Sequence, residues 1–150
     1  MNPFHYMLWG PDWAWGVPLI ALNVVIHVFC LAMFTARTER LLARFTEHRH
    51  FALTFALVIG IAVTFVTGLH VIEAGIWATA YRFLGAIADN KSAMLYSLSA
   101  LTTYGHANVF LDPKWQMMGA LEALNGMLLF GLTTAFLFAM IQRVWPAANR

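Results

Sequence analysis

Ser92-Ala93-Met94-Leu95-Tyr96-Ser97-Leu98-Ser99-Ala100-Leu101-Thr102-Thr103-Tyr104-Gly105-His106-Ala107-Asn108-Val109-Phe110-Leu111 is a run of 20 residues without an Asp, Glu, Lys or Arg. By length it passes for a membrane span. Its two halves differ. Ser92 to Leu101 reads as helix, but at 1.5 Å per residue that half reaches only about 15 Å, half of a bilayer core of about 30 Å. The second half is Thr-, Gly-, His- and Asn-rich. Backbone that leaves a helix at membrane depth must be buried in protein or line a water-filled cavity. The stretch therefore predicts a short helix that enters and an extended polar segment that turns back. A fourth, weakly apolar span is the competing reading.

The surroundings place this stretch in a bilayer. Val17 to Ala36, Phe51 to Ile72 and Ala123 to Ile141 are also free of charged residues, over 20, 22 and 19 positions. Each is long enough to cross as a helix. The 150 residues are 61% hydrophobic and 11% charged, too few polar groups to cover a water-soluble core. Nucleic-acid binding is not expected, because the basic residues sit in loops between apolar blocks. Cys30 is the single cysteine; in an apolar run it reads as a small core residue.

The expected organisation is one membrane domain: an outer interfacial segment (1–16), a first span (17–36), a basic loop (37–50), a second helix (51–77), the short helix and polar segment (92–108) and a last helix (117–142). The basic loop carries Arg37, Arg40, Arg44 and Arg49, and the tail adds Arg143 and Arg150, whereas the other side carries Arg82, Lys91 and Lys114. The positive-inside rule puts the loop and the C-terminus in the cytoplasm and the N-terminus outside, as in a multi-pass protein of the cell (inner) membrane. Residues 1–16 lack Lys and Arg and make a poor signal peptide. No soluble sensor domain is expected after Ile141. Trp9, Trp13, Trp15, Trp77 and Trp115 are expected in an outer aromatic belt, and Trp145 at the inner face.

A short helix, Thr-rich extended backbone, an outer loop and a long span form the layout of a pore-loop cation channel. A cation leaving water needs oxygen ligands in place of its hydration shell, and rings of backbone carbonyls supply them. The preceding helix turns its negative end to the cavity. One chain holds one such segment, so a closed homotetramer is implied.

Tyr96 to Asn108 resembles the pore helix and filter of potassium channels. Gly119 to Phe136 (Gly-Ala-Leu-Glu-Ala-Leu-Asn-Gly-Met-Leu-Leu-Phe-Gly-Leu-Thr-Thr-Ala-Phe) resembles the inner helix of small prokaryotic two-pore-domain-type potassium channels. His70-Val71-Ile72-Glu73 and Trp77-Ala78 resemble the end of their outer helix. The resemblance covers roughly residues 50 to 143. It implies an all-α integral membrane channel with three transmembrane helices, a re-entrant pore helix and a filter loop. Thr103, Tyr104, Gly105, His106 and Ala107 would form the filter, Thr103 and Gly105 binding a monovalent cation through backbone carbonyls. The family's filter reads Thr-Val-Gly-Tyr-Gly and then Asp; here Thr103-Tyr104-Gly105-His106-Ala107 is followed by Asn108. Ala107 replaces a glycine that tolerates left-handed backbone, and Asn108 removes an acid from the outer mouth. The conducted ion is left open between potassium and sodium.

Four residues are candidates for filter support: Glu73, Trp77, Asn108 and Glu122. His70, Glu73 and Trp77 share a helical face. A metal site at His70 and Glu73 would have too few ligands. Glu122 is a charge at membrane depth, which calls for a partner. Met127, Phe130, Gly131, Thr134 and Phe138 are candidates for cavity lining and gating, Gly131 as a hinge. His106 is a candidate pH sensor at the mouth, unless its ring packs outward. Asn23 and His27 share a face of the first span and are expected to bond another helix; that span is expected beside the outer helix.

No enzyme constellation, nucleic-acid partner, small-molecule substrate or organic cofactor is expected. Two other functions stay open: a non-conducting membrane scaffold or accessory subunit, and a haem-binding membrane redox protein using His27 and His70. Depth counts against haem, since His27 falls mid-span and His70 near an outer end, on the order of 10 Å apart.

Overall fold

The computed structural model of the chain describes residues 10–42, 51–105 and 108–144. These residues form an all-α protein of four helices: α1 (Gly10–Leu42), α2 (Phe51–Phe83), α3 (Asn90–Leu101) and α4 (Gln116–Val144), with a 3-10 turn at Pro113–Trp115. Three of them, over Gly10–Arg40, Ala52–Phe83 and Pro113–Arg143, are long and apolar enough to cross a membrane. Trp9, Trp145, His106, Ala107 and most of the basic loop lie outside the described residues.

The long helices run past the charge-free windows. Helix α1 starts at Gly10, so the segment expected to lie at the interface continues into the first span. Helix α2 reaches Phe83, six residues beyond the expected end. Backbone hydrogen bonding does not stop at a charged side chain, and near a helix end such a chain extends to the interface.

Helix α2 closes with a left-handed glycine. Gly85 has φ 68°, its N–H donates to Arg82 O (3.2 Å), and the Ala86 N–H donates to Tyr81 O (2.9 Å). This Schellman arrangement satisfies the last carbonyls. The Arg82 guanidinium then donates to Ile87 O (2.8 Å) and Asn90 Oδ1 (2.7 Å), fixing the turn into α3. Asp89 caps α3 by accepting the Ser92 N–H at 2.8 Å.

Helices α1 and α4 are parallel and matched end to end. Asp12 accepts the Met118 N–H at 3.2 Å at one end, and Arg143 pairs with Glu39 at the other. The Asp12 carboxylate thus sits on the positive N-terminus of α4, supplied from 106 residues away. Helix α1 was expected beside the outer helix; it packs mainly on α4 and touches α2 less. The reason is polar. Asp12, Glu39 and Asn23 each find a partner across a helix interface, and two of those partners are on α4.

Helix α3 fills the space between α2 and α4 near the end that carries Phe83 and Gln116. Trp77, Tyr81, Ala86, Ile87, Ala93, Tyr96, Leu111, Trp115, Met118 and Leu121 form the core there. Trp77 and Trp115 are therefore core residues, 0% and 7% exposed, and not part of an interfacial belt. Trp13 and Trp15, at 48% and 41%, remain on the surface. At the opposite end Leu31, Val66 and Leu69 pack together, joined by the Phe34 ring, 4.7 Å from Phe65 and 5.8 Å from Phe136.

Candidate functional site

Two buried polar clusters hold this bundle, and both involve residues singled out in the sequence. The first surrounds Glu122. Its carboxylate is fully buried. It accepts the Tyr81 hydroxyl at 2.6 Å and also the Ser97 hydroxyl. Ser97 Oγ is also 2.6 Å from Ala74 O. One carboxylate on α4 thus fixes α2 and α3 together. The Tyr96 ring stands edge-on to Tyr81, with centroids 5.4 Å apart.

Close backbone approach completes the contact. A Cβ on Gly126 would lie 1.9 Å from Leu101 O, so only glycine lets the C-terminal end of α3 rest on α4. Asn125, beside it, is fully buried, and its side-chain amide has no hydrogen-bond partner among the described residues. Trp77 Nε1 is in the same situation.

The segment after α3 departs from the expected extended run. The Thr103 N–H donates to Ala100 O (2.9 Å) and the Tyr104 N–H to Ser99 O (3.0 Å), with Thr103 at φ 55°. This is again a Schellman cap, but with a β-branched residue where α2 uses glycine. Left-handed backbone costs such a residue roughly 1–2 kcal/mol. The carbonyls of residues 103–105 form no cage within the single chain. Thr102, Thr103, Tyr104, Gly105 and Asn108 are all exposed, Tyr104 at 85%. The chain then comes back to the level at which it left α2: the Asp112 N–H donates to Ala86 O at 3.1 Å. On α4, Met127, Phe130, Gly131, Thr134 and Phe138 are exposed in the single chain, and nothing lies within 4 Å of a Cβ placed on Gly131.

The second cluster was legible only in part. Glu73 is fully buried on α2. His27 Nδ1 of α1 lies 2.8 Å from its Oε1, and His70 Nδ1 lies 3.0 Å from its Oε2. On the far side of the rings, Thr133 Oγ1 of α4 is 3.2 Å from His27 Nε2 and 3.1 Å from His70 Nε2. Asn23 Nδ2 donates to Glu73 O at 3.4 Å. The imidazoles stack at 5.3 Å with 28° between their planes.

The depth argument that separated His27 from His70 is therefore wrong. It took Ile72 as the end of the second span, whereas α2 runs on to Phe83 and carries His70 well inside. The ligand count at Glu73 changes too, because α1 adds His27: three ligand atoms, one each from His27, His70 and Glu73, lie within 4.8 Å of one another. Haem does not fit these donors. Two axial ligands of one iron face each other across the macrocycle, whereas these rings turn both Nδ1 atoms to the same carboxylate.

No protein-family model, curated protein or solved structure matches this chain. The described residues form a largely apolar, all-α membrane protein with three helices long enough to span a bilayer and a short fourth helix packed between α2 and α4.

Proposed function

We propose that this chain is one subunit of a homotetrameric pore-loop cation channel, in which α2 is the outer helix, α3 the pore helix and α4 the inner helix. The observation that carries the reading is the path of residues 86–112. The chain leaves beside Ala86, runs along α3 to Leu101 against Gly126, and comes back to hydrogen-bond Ala86 through Asp112. In a bilayer such a path enters and leaves on one side. The segment at its deep end, Thr102 to Gly105, is polar and uncovered by its own chain. That is what a segment facing an axis between subunits requires. Ala120, Leu124, Met127, Gly131, Thr134 and Phe138 form an exposed stripe on α4 at alternating spacings of four and three, the repeat with which helices meet partner helices.

In this reading Thr103, Tyr104, Gly105, His106 and Ala107 carry monovalent cations through backbone carbonyls. Glu122 holds the pore helix from behind. The basic loop and the C-terminus are cytoplasmic. The protein carries out no covalent reaction. A non-conducting scaffold is the second reading, favoured by the cap at Thr103 and Tyr104, which uses backbone that a filter must keep extended.

The test is a reversal potential in proteoliposomes holding potassium inside and sodium outside, with the subunit number read by native mass spectrometry. A tetramer with a strongly negative potential supports a potassium-selective filter. Current that reverses near zero supports the same pore without selectivity. Silent tetramers that stay silent after Tyr104→Val, His106→Tyr and Ala107→Gly together would overturn the channel reading in favour of the scaffold.

A further inference from the structure

We propose that His27, His70 and Glu73 form a divalent transition-metal site of zinc type, buried where α1, α2 and α4 meet. Hydrogen counting points there. The cluster contains four close contacts: Glu73 with each imidazole Nδ1, and Thr133 with each Nε2. An ionised carboxylate brings no hydrogen, a neutral imidazole one and a hydroxyl one. Three hydrogens serve four contacts, so one acceptor faces another. A cation between the carboxylate and the two Nδ1 atoms removes that conflict. Both imidazoles then carry their hydrogens on Nε2, and the two lone pairs of Thr133 Oγ1 accept both. A metal-bound histidine normally donates its second nitrogen in this way.

Distances and charge agree. Tetrahedral zinc sits about 2.0–2.2 Å from nitrogen and oxygen ligands, which sets those ligands roughly 3.3 Å apart. The two Nδ1 atoms lie 2.8 and 3.0 Å from the two different carboxylate oxygens, and one ligand atom from each of the three residues falls within 4.8 Å of the other two, so side-chain shifts of about an ångström bring them to that spacing. The Glu73 carboxylate is fully buried, and its side-chain partners among the described residues are the two imidazoles. A carboxylate at membrane depth calls for a counter-charge. The donor set also selects the ion. Two imidazoles with one carboxylate suit zinc, iron, cobalt, nickel or copper, whereas calcium and magnesium want oxygen ligands. The Phe130 ring, 4.5 Å from that of His70, covers one side. Three protein ligands leave the fourth tetrahedral position to solvent. The site is separate from the proposed conduction path, and its metal would pin α1 to the helices that build that path.

The test uses the full chain in detergent, stripped of metal, titrated with zinc chloride and separately with cobalt chloride. Expected are one zinc per chain, a raised melting temperature, and the visible absorption of tetrahedral cobalt in a nitrogen–oxygen site. Glu73→Gln and His70→Asn abolish all three. Thr133→Val keeps the stoichiometry and weakens binding by about 10–100-fold. Folded wild-type protein that binds no metal would overturn the site, leaving a single shared proton to fill the hydrogen shortfall. Equal binding in His27→Asn/His70→Asn would also overturn it, moving the metal to His5, His48, His50 or His106. If those variants do not fold, zinc-edge X-ray absorption of the wild type decides. Two imidazoles with oxygen donors in the remaining positions support the site, and any other imidazole count overturns it. Conductance enters none of these readouts, so failure of the channel reading leaves this result standing.

Discussion

Glu122 shows how one side chain sets a membrane interface. Its two oxygens take hydroxyls from two helices, so neither Tyr81 nor Ser97 is left as a buried donor without an acceptor. A buried polar group stranded by a substitution costs about 1–3 kcal/mol. Glu122→Gln keeps the shape but removes one acceptor, and a loss of that size is expected. Tyr81→Phe strands the other partner, leaving the buried Glu122 Oε2 without its donor, and a loss of about 1–3 kcal/mol is expected there too. The pair should be strongly non-additive. Thermal or denaturant unfolding of both single variants and the double variant in detergent checks this, and additive losses would show that the 2.6 Å contact carries no energy of its own. Thr103 poses the opposite case. It is a β-branched residue in left-handed backbone, in the segment where the proposed function lies, which is where proteins tend to keep strain.

At the scale of the element, α3 is held by its two ends. Its start depends on Asp89. The Ser92 backbone N–H beside the carboxylate holds the acid below its usual range, with smaller help from Arg82. A carboxylate whose folded pKa is depressed adds stability above its unfolded value of about 3.9, and that stability is lost as pH falls through the folded value. Asp89→Ala should therefore lower the melting temperature at neutral pH, and the gap to wild type should close on acidification; a gap unchanged by pH would argue against the cap. The far end of α3 depends on Gly126. Gly126→Ala places a methyl group 1.9 Å from Leu101 O, and backbone cannot rotate away as a side chain can. A loss of about 1–3 kcal/mol is expected. Cysteine cross-linking between α3 and α4 should slow in parallel, because the C-terminal end of α3 must lift from α4.

For the whole molecule, the question is what keeps three spans together where lipid is as apolar as leucine. Burial of side chains offers little drive between helices in a bilayer, so small residues and polar contacts decide the packing. This bundle uses both. Asp12 on the N-terminus of α4, Glu39 with Arg143, and the cluster of His27, Glu73 and Thr133 fasten α1 at both ends and in the middle. Gly16 lets α1 approach Leu121, where a Cβ would lie 2.5 Å from Leu121 Cδ1. The first span is thus tied to the same helix that the proposed pore uses as its inner wall.

The sequence by itself determined the membrane class, the three spans and the short helix at Ser92 to Leu101, because those depend on length, charge-free runs and polarity, which are properties of consecutive residues. It marked Glu122 as a charge in need of a partner for the same reason, and Glu73 as a candidate filter support. Only the tertiary structure decided which partners they have. His27 lies 46 positions from Glu73, and Thr133 lies 106 from His27; no periodicity within one helix brings them together. Trp77 and Trp115 were misplaced because an aromatic near a helix end has the same local pattern in a core and in an interfacial belt, and only the neighbouring helix tells them apart. The polar face of Asn23 and His27 was visible as a pattern. What it meant depended on how far α2 runs past Ile72, and backbone hydrogen bonding set that length while charge did not.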